Sequence, residues 1–297
     1  MISVVVTSFE QARFLGEALE SALAQTLPPA EILVVDDGSA DDPREVVGRY
    51  AGVELIVQPH RGAAAARNRG LLETRGEFVV FLDADDRLLP HALETGLAAI
   101  TESPGLAFVS GHSEVIDERG VRRRSTPPPC METDAFAALL ERCYIWCPAS
   151  VLFRRAALDS VGGFREVPVA DYDMYLRLAR RFGARCHHRT VAEWRQHSAN
   201  TSNDNAMMLR SLLAVLRDNQ RFAAGNEAWR TSLRTGRRGV REYYGERALA
   251  DLAALSRSPS RWWRAARLLP ALVRHYPSGL VRRLAGGAAG RGARRST

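Results

Sequence analysis

The chain contains no lysine: all 41 of its basic residues are arginine. We assign that absence to genomic base composition rather than to chemistry. Long apolar runs are missing too, and none approaches the roughly 20 residues that a membrane-spanning helix requires. A membrane-spanning helix is therefore not expected in this sequence. The first apolar run has no basic residues ahead of it and stops at Ser8 and Glu10, which does not fit a secretory signal. The expected location is the cytoplasm, where the four cysteines, Cys130, Cys143, Cys147 and Cys186, are expected to remain thiols. Cys143 and Cys147 with Cys186, His187 and His188 could in principle hold zinc, although their spacing fits no standard ligand pattern. Internal repeats are absent. So is any Ser/His/Asp or reactive-cysteine arrangement that would supply a covalent nucleophile.

What the chain does have is bulk. Its 297 residues with 46% hydrophobic content suffice for one large domain with a sizeable core, plus an appendage. Charge is unevenly divided. Residues 207–297 hold 19 arginines against 5 acidic residues, so the formal net charge of +7 leaves the first 206 residues at −7. An acidic first part followed by a basic second part implies two tasks.

Taken in order, Ile2 to Val6 is a short β-branched run and reads as a strand. Gln11 to Gln25 carries Phe14, Leu15, Ala18, Leu19, Ala22 and Leu23 at helical spacing and is closed by Pro28-Pro29. Ile32 to Val35 is a second strand, delivering Asp36-Asp37-Gly38-Ser39 at its carboxyl end. Pro43 to Tyr50 reads as a helix, Val53 to Val57 as a strand and the Ala-rich Gly62 to Thr74 as a helix. This alternation predicts βαβ crossovers and a mostly parallel sheet. Residues 101–150 are less regular, with a basic, proline-rich surface loop at Val121 to Pro129. Ala149 to Phe153 then reads as a strand, Ala156 to Val161 as a short helix, Asp171 to Phe182 as an amphipathic helix and Cys186 to Trp194 as a return to the sheet. Beyond Met207 the chain reads as helical up to Gly286, and its Gly/Ala/Arg end as disordered.

The organising stretch is Phe78 to Asp86. Five apolar residues, Phe78 to Leu82, suit a strand buried on both faces, and they stop at three carboxylates, Asp83, Asp85 and Asp86. Clustered carboxylates repel one another, and burying them is costly without a cation or a donor. In open α/β sheets the carboxyl end of a strand is where ligands bind. A divalent ion held by oxygen ligands, itself gripping a diphosphate, would answer both points. The bland alternative is a solvated turn ahead of a helix near Pro90.

With these landmarks in order, residues 1–205 resemble family-2 glycosyltransferases of the GT-A fold. The likeness is carried by Ser3-Val-Val-Val-Thr-Ser-Phe9, Gln25-Thr26, Val35-Asp-Asp-Gly-Ser39, Ala66-Arg-Asn-Arg-Gly70 and Phe81-Leu-Asp-Ala-Asp-Asp86. It continues with Val161-Gly-Gly-Phe164, Asp171-Tyr-Asp-Met-Tyr-Leu-Arg177 and Arg195-Gln-His197. The resemblance implies a Rossmann-like, mostly parallel sheet with flanking helices, with residues 1–100 binding nucleotide and 101–205 binding acceptor. Residues 206–285 would form a helical basic extension and 286–297 a disordered tail.

The resemblance also implies transfer of a sugar from a nucleotide-sugar, with Mg²⁺ or Mn²⁺ and inversion at the anomeric carbon. By position, Thr7 and Phe9 would border the base, and Asp36 and Asp37 would lie at the uracil or ribose. Arg67 and Ala84 would contact the nucleotide-sugar. Asp83 would face ribose and metal, Asp85 would be the main metal ligand, and His197 would reach metal or diphosphate. Asp171 would be the catalytic base. Two departures stand out: Thr7-Ser-Phe-Glu10 replaces the family's frequent Pro-Thr-Tyr-Asn, and Ala170 replaces the acidic neighbour of the base.

Local readings leave alternatives open. Asp36-Asp37-Gly38-Ser39 also suits an Asx turn with Gly38 at positive φ, Asp171 suits a favourable first-turn charge, and Asp173 rivals it as base. A sugar-1-phosphate nucleotidyltransferase would need a Gly-rich basic loop after the first strand, which Thr7 to Glu10 does not provide. A non-catalytic nucleotide-sugar-binding or scaffold protein remains the alternative from another class. The Trp- and Arg-rich segment 261–283 suits an anionic membrane surface, which would place the protein peripherally on the inner face, near a glycan or lipid-linked acceptor. The same segment also suits packing on the acidic part of the chain. Nucleic acid is not an expected partner, since no recognised motif accompanies the charge.

Overall fold

All seven residues of the first strand are buried, as befits a strand covered on both faces. The structure, a computed structural model, describes residues 1–126, 130, 134–256 and 262–283. From the N-terminus run β1 (Ile2–Ser8), α1 (Ala12–Leu23), β2 (Glu31–Asp36), α2 (Arg44–Val47), β3 (Val53–Val57), α3 (Ala63–Glu73) and β4 (Phe78–Asp83). These four strands are parallel in the order β3-β2-β1-β4. Helix α1 buries Phe14, Leu15, Ala18, Leu19 and Ala22, the predicted apolar face. Helix α3 lies close against β1 because position 70 is glycine. A Cβ there would come within 2.1 Å of Val5 Cγ1.

The second half departs from the mostly parallel expectation. Next come β5 (Arg87–Leu88), α4 (Ala92–Thr101), β6 (Leu106–Asp117), β7 (Arg122–Arg123), α5 (Ala135–Glu141), β8 (Val151–Arg154), α6 (Arg155–Ser160), α7 (Ala170–Ala179) and β9 (Gly183–Gln196). The full sheet order is β3-β2-β1-β4-β8-β6-β9-β5, with β7 paired to β6. Strand β8 runs antiparallel to both β4 and β6, β5 runs antiparallel to β9, and β6 and β9 are parallel. The sheet is therefore parallel in its first four strands and mixed beyond. Strand β6 is 12 residues long, inside the region that reads as irregular. Its alternation is interrupted by Gly111, His112 and Ser113, which hides its period.

The chain divides into two compact units, one of residues 1–139 and 143–198, the other of residues 140–142 and 199–297. The second unit contains α8 (Asn205–Asp218), α9 (Gln220–Ala223), α10 (Glu227–Ser256) and α11 (Trp262–His275). Its core joins Leu209 and Leu213 of α8, Ala248 and Leu249 of α10, and Ala271 and Leu272 of α11 with Tyr276. Among the described residues no helix is long and apolar enough to cross a membrane. The expected disordered end from residue 286, and parts of the 121–129 loop and of the 261–283 segment, lie outside the described residues. One expectation is overturned. Cys130 and Cys186 are joined as a disulfide rather than left as two thiols, while Cys143 and Cys147 are free.

Candidate active site

Parallel pairing aligns the carboxyl ends of β1, β2 and β4. Thr7 pairs with Asp83 on one side, and Ser8 pairs with Asp36 on the other. Thr7 Oγ1 donates to Asp83 Oδ1 at 2.8 Å, and Arg67 Nη2 donates to the same oxygen at 2.7 Å. Arg67 Nη1 also donates to Asp171 Oδ1. One buried guanidinium thus ties the strand-end carboxylate to the proposed base, 104 residues further along the chain. Both hydrogen bonds to Asp83 use Oδ1, and the one to Asp171 uses Oδ1. Each carboxylate therefore keeps its Oδ2 clear of protein donors among the described residues.

Local structure explains how α7 reaches Arg67. Asn68, next to it on α3, donates to Phe164 O and accepts from Phe164 N, each at 2.8 Å. That pins the Gly162-Gly163-Phe164 turn to α3, and α7 follows six residues after Phe164. The Arg67 guanidinium lies 5.7 Å from the centre of the Phe164 ring. Asp173, the rival base, is buried and accepts from Arg177 Nε at 2.7 Å. Its other oxygen lies 3.5 Å from Arg165 Nη1, so both oxygens are engaged by arginines other than Arg67. Burial raises the Asp171 carboxyl above its ordinary range, and the charge of Arg67 opposes that rise. Burial also works against the Arg67 charge, but Asp171 and Asp83 outweigh it and hold the guanidinium protonated.

Two residues beyond Asp83, Asp85 is buried, and its Oδ2 lies 2.9 Å from His197 Nε2. Burial raises the Asp85 carboxyl, the charge of Asp83 adds to the rise, and the His197 hydrogen bond opposes it. Asp86 is raised further, first by burial and then by the charges of Asp85 and Asp83. Its carboxylate accepts from Arg195 N at 2.9 Å. The acids repel one another at close quarters, as the sequence implies.

Arg195 is the residue whose role the sequence does not announce. It is fully buried, donates from Nε to Asp85 O at 2.7 Å and from Nη2 to Glu17 Oε2 at 2.6 Å, and stacks over Phe14. Glu193, Arg195 and His197 alternate on β9 and just past its end. That period-two polar series was the available signal.

Asp36 and Asp37 are both buried and engaged by their own loops. Ser39 N donates to Asp36 Oδ2 at 3.2 Å. Gln58 Nε2 and Arg61 N donate to Asp37 Oδ1 at 2.7 and 3.0 Å, and Gly62 N donates to Oδ2 at 2.7 Å. Asp37 therefore organises the entrance to α3. His60, which the sequence does not single out, sits beside it and stacks on Phe9 with ring centres 4.0 Å apart. Phe9 is 41% exposed, so this pair presents an aromatic face at the rim. Ala84 is fully buried, and its N–H donates to Thr7 O at 2.9 Å. It spaces the two acids and offers no side-chain surface to a ligand.

The donor set suits a hard divalent cation. Asp83 and Asp85 supply carboxylate oxygens and His197 an imidazole, with mutual repulsion that a cation would relieve. Arg67 Nε and Ser8 Oγ are buried and lack a hydrogen-bond partner among the described residues, as expected where a polar ligand completes the site.

Residues 3–162 match the sequence profile of glycosyl transferase family 2. An uncharacterized glycosyltransferase of Nostoc sp. is 34% identical over 170 residues, 54% of this chain and 52% of that protein. The chain thus spans about half the length of that relative. An Escherichia coli protein named as a UDP-Glc:α-D-GlcNAc-diphosphoundecaprenol β-1,3-glucosyltransferase is 28% identical over 181 residues, 60% of this chain and 69% of that protein. Among solved structures, a mannosyltransferase from Pyrobaculum calidifontis in complex with GDP-Man and Mn²⁺ matches at TM-score 0.59 and 23% identity, covering 97% of this chain and 79% of that one. That likeness identifies the fold as GT-A-like, with a helical C-terminal part.

Proposed function

The chain belongs to glycosyl transferase family 2, and on that premise we propose an inverting, metal-dependent transfer of a sugar from a nucleotide-sugar to an acceptor hydroxyl. The work assigned to it is assembly of a cell-surface polysaccharide or glycolipid on a glycan or lipid-linked acceptor. In this reading residues 1–205 carry catalysis, residues 1–100 binding donor and 101–205 acceptor, while 206–285 form a basic extension.

The observation that carries the reading is the Arg67 bridge between Asp83 and Asp171. It fixes the acid at the strand end and the base in one constellation, with Oδ2 of Asp171 available to a proton. In the reaction, Asp171 takes the proton of the acceptor hydroxyl as its oxygen bonds to the anomeric carbon. The bond from that carbon to the diphosphate oxygen breaks on the opposite face, so configuration inverts. Arg67 keeps Asp171 ionised before the proton arrives and orients its carboxylate. The Phe9–His60 face would stack the base, and Arg67 Nε and Ser8 Oγ would find partners on the bound donor. Asp83 and Asp85, with His197, would hold Mg²⁺ or Mn²⁺, which when bound supplies charge that offsets the negative charge of the departing diphosphate.

A thermal-shift screen of nucleotide-sugars with and without Mn²⁺ tests this directly. A true donor at about 100 times its Kd stabilises the fold by about 2.7 kcal/mol. Release of nucleoside diphosphate should accompany it. If no nucleotide-sugar raised the melting temperature with either metal, the proposal would fail; binding without release would instead favour the non-catalytic reading.

The basic extension is assigned to an anionic membrane surface through 261–283. Leu269, Val273 and Val281 are exposed large apolar side chains on this segment, while Ala271 and Leu272 pack inward. Both sets together suit a helix whose one face packs within its own unit and whose other face lies on headgroups. Sedimentation with anionic vesicles at low salt, abolished by deleting 258–297, supports the assignment. Absence of sedimentation from the full chain would remove it.

A further inference from the structure

Far from the strand-end acids, two strands and a loop residue bring together a second set of ligating side chains. We propose that the dithiol form of the chain binds one zinc ion through His112, Cys130, Cys186 and His188. The four ligand atoms all lie within 4.8 Å of one another. A tetrahedral zinc with bonds of about 2.0–2.3 Å needs ligand separations of about 3.3–3.8 Å, within reach of small side-chain rotations. Strands rise about 3.3 Å per residue. The seven residues from His188 to Arg195 therefore place this cluster on the order of 20 Å from the Asp85 region.

The backbone is shaped for the cluster. On β6, His112 shares a face with Ser110, whose partner on β9 is Cys186. The register then breaks: His112 pairs with Thr190, so His187, His188 and Arg189 stand opposite Gly111 alone. His188 sits in this bulge at φ +59°, a left-handed conformation that non-glycine residues rarely adopt. The bulge depends on the glycine across from it, because a Cβ on Gly111 would come 2.4 Å from His187 Cε1 and 2.6 Å from Arg189 O. Bulges re-aim side chains, and this one leaves the His188 ring 6.0 Å from that of His112, centre to centre. Both ring nitrogens of His112 lie 3.9 Å from Cys130 Sγ. A disulfide alone has no use for two converging imidazoles.

Two thiolates and two neutral imidazoles form a closed tetrahedral set, which suits structural zinc better than Mg²⁺ or Ca²⁺. With no position left for water, the ion would act as a clamp, tying Cys130 to the β6–β9 pair across 56 residues of sequence. Zinc binding releases the two thiol protons and transfers no electrons. The disulfide seen here is the two-electron oxidised counterpart. Hydrogen peroxide would make it from the zinc form, taking two electrons from the thiolates and two protons from solvent to become two waters and setting the ion free. Cys143 and Cys147 belong to neither form, since Cys143 Sγ bonds to Ile145 O and Cys147 Sγ contacts Ser113 Oγ.

The test is elemental analysis of the full chain purified under a phosphine reductant without chelator. About one zinc per chain is expected, falling below roughly a tenth in Cys186→Ser and unchanged in Cys143→Ser. Because a cysteine variant could misfold, two further readouts use folded protein. Exposed His188→Asn should weaken zinc retention at least about 10-fold while its metal-free melting profile stays that of the metal-free wild-type chain. Cobalt added to the reduced wild-type chain should give tetrahedral ligand-field bands and a thiolate charge-transfer band, both lost on peroxide addition. A reduced chain that stays metal-free after dialysis against zinc, or a Cys130→Ser/Cys186→Ser variant that keeps its zinc, would overturn the proposal.

Discussion

His197 Nε2 lies 2.9 Å from Asp85 Oδ2, although 112 residues separate the two in sequence. The histidine thus orients a carboxylate that burial and the charge of Asp83 both push toward protonation. Asp85→Asn is expected to abolish transfer with either Mg²⁺ or Mn²⁺. His197→Ala should raise the metal concentration needed for half-maximal rate by about 10- to 100-fold. Titrating turnover against Mn²⁺ in folded variants checks both, and a near-normal rate in Asp85→Asn would refute the metal assignment.

Asp171 and Asp173 sit two residues apart and should behave differently. Asp171→Asn is expected to cut turnover at least about 100-fold while donor binding persists. Asp173→Ala leaves Arg177 buried without its ion-pair partner, which costs about 3–5 kcal/mol. Denaturant melts and single-turnover rates on the two variants separate the roles. Unchanged turnover in Asp171→Asn would move the base elsewhere.

The acid limb of the rate profile should follow Asp171. A base acts ionised, and burial raises this carboxyl above its model-peptide range. Rate is therefore lost as pH falls through a value above that of an ordinary aspartate. Arg67 opposes the rise, so Arg67→Gln should move the limb toward higher pH on top of any loss in rate. Log(kcat/KM) plotted against pH for both proteins measures it, and a limb that moved down would contradict the pairing.

Gly70→Ala probes the close approach of α3 to β1. Its Cβ would meet Val5 Cγ1 at 2.1 Å, an overpacking expected to cost about 1–3 kcal/mol. Gly105→Ala, which meets nothing within 4 Å, serves as the control and should change stability by less than about 0.5 kcal/mol. Equal urea midpoints for the two variants would show that the helix shifts freely.

The first half of the fold is legible because each strand there is a short apolar run closed by a turn, and each helix between them shows its own apolar period. The mixed half is not. Pairing of β8 between β4 and β6 is a choice among distant partners, and no local period encodes it. The same divide runs through the site. Asp83 and Asp85 announce themselves as carboxylates breaking a buried strand, whereas Arg195, marked only as part of the Arg195-Gln-His197 landmark, shows no role until it is found without solvent, bonded to Asp85 O and Glu17.

Sequence alone determined the alternating strands and helices, the acidic strand end and the basic second part, because those follow from local period and composition. Only tertiary structure decided that Asp171 rather than Asp173 meets Arg67, and that His112 and Cys130 join Cys186 and His188. The physical reason is reach. A side chain's partner is set by which strands lie side by side and where a bulge turns the backbone, and neither is written within a few residues of the side chain itself.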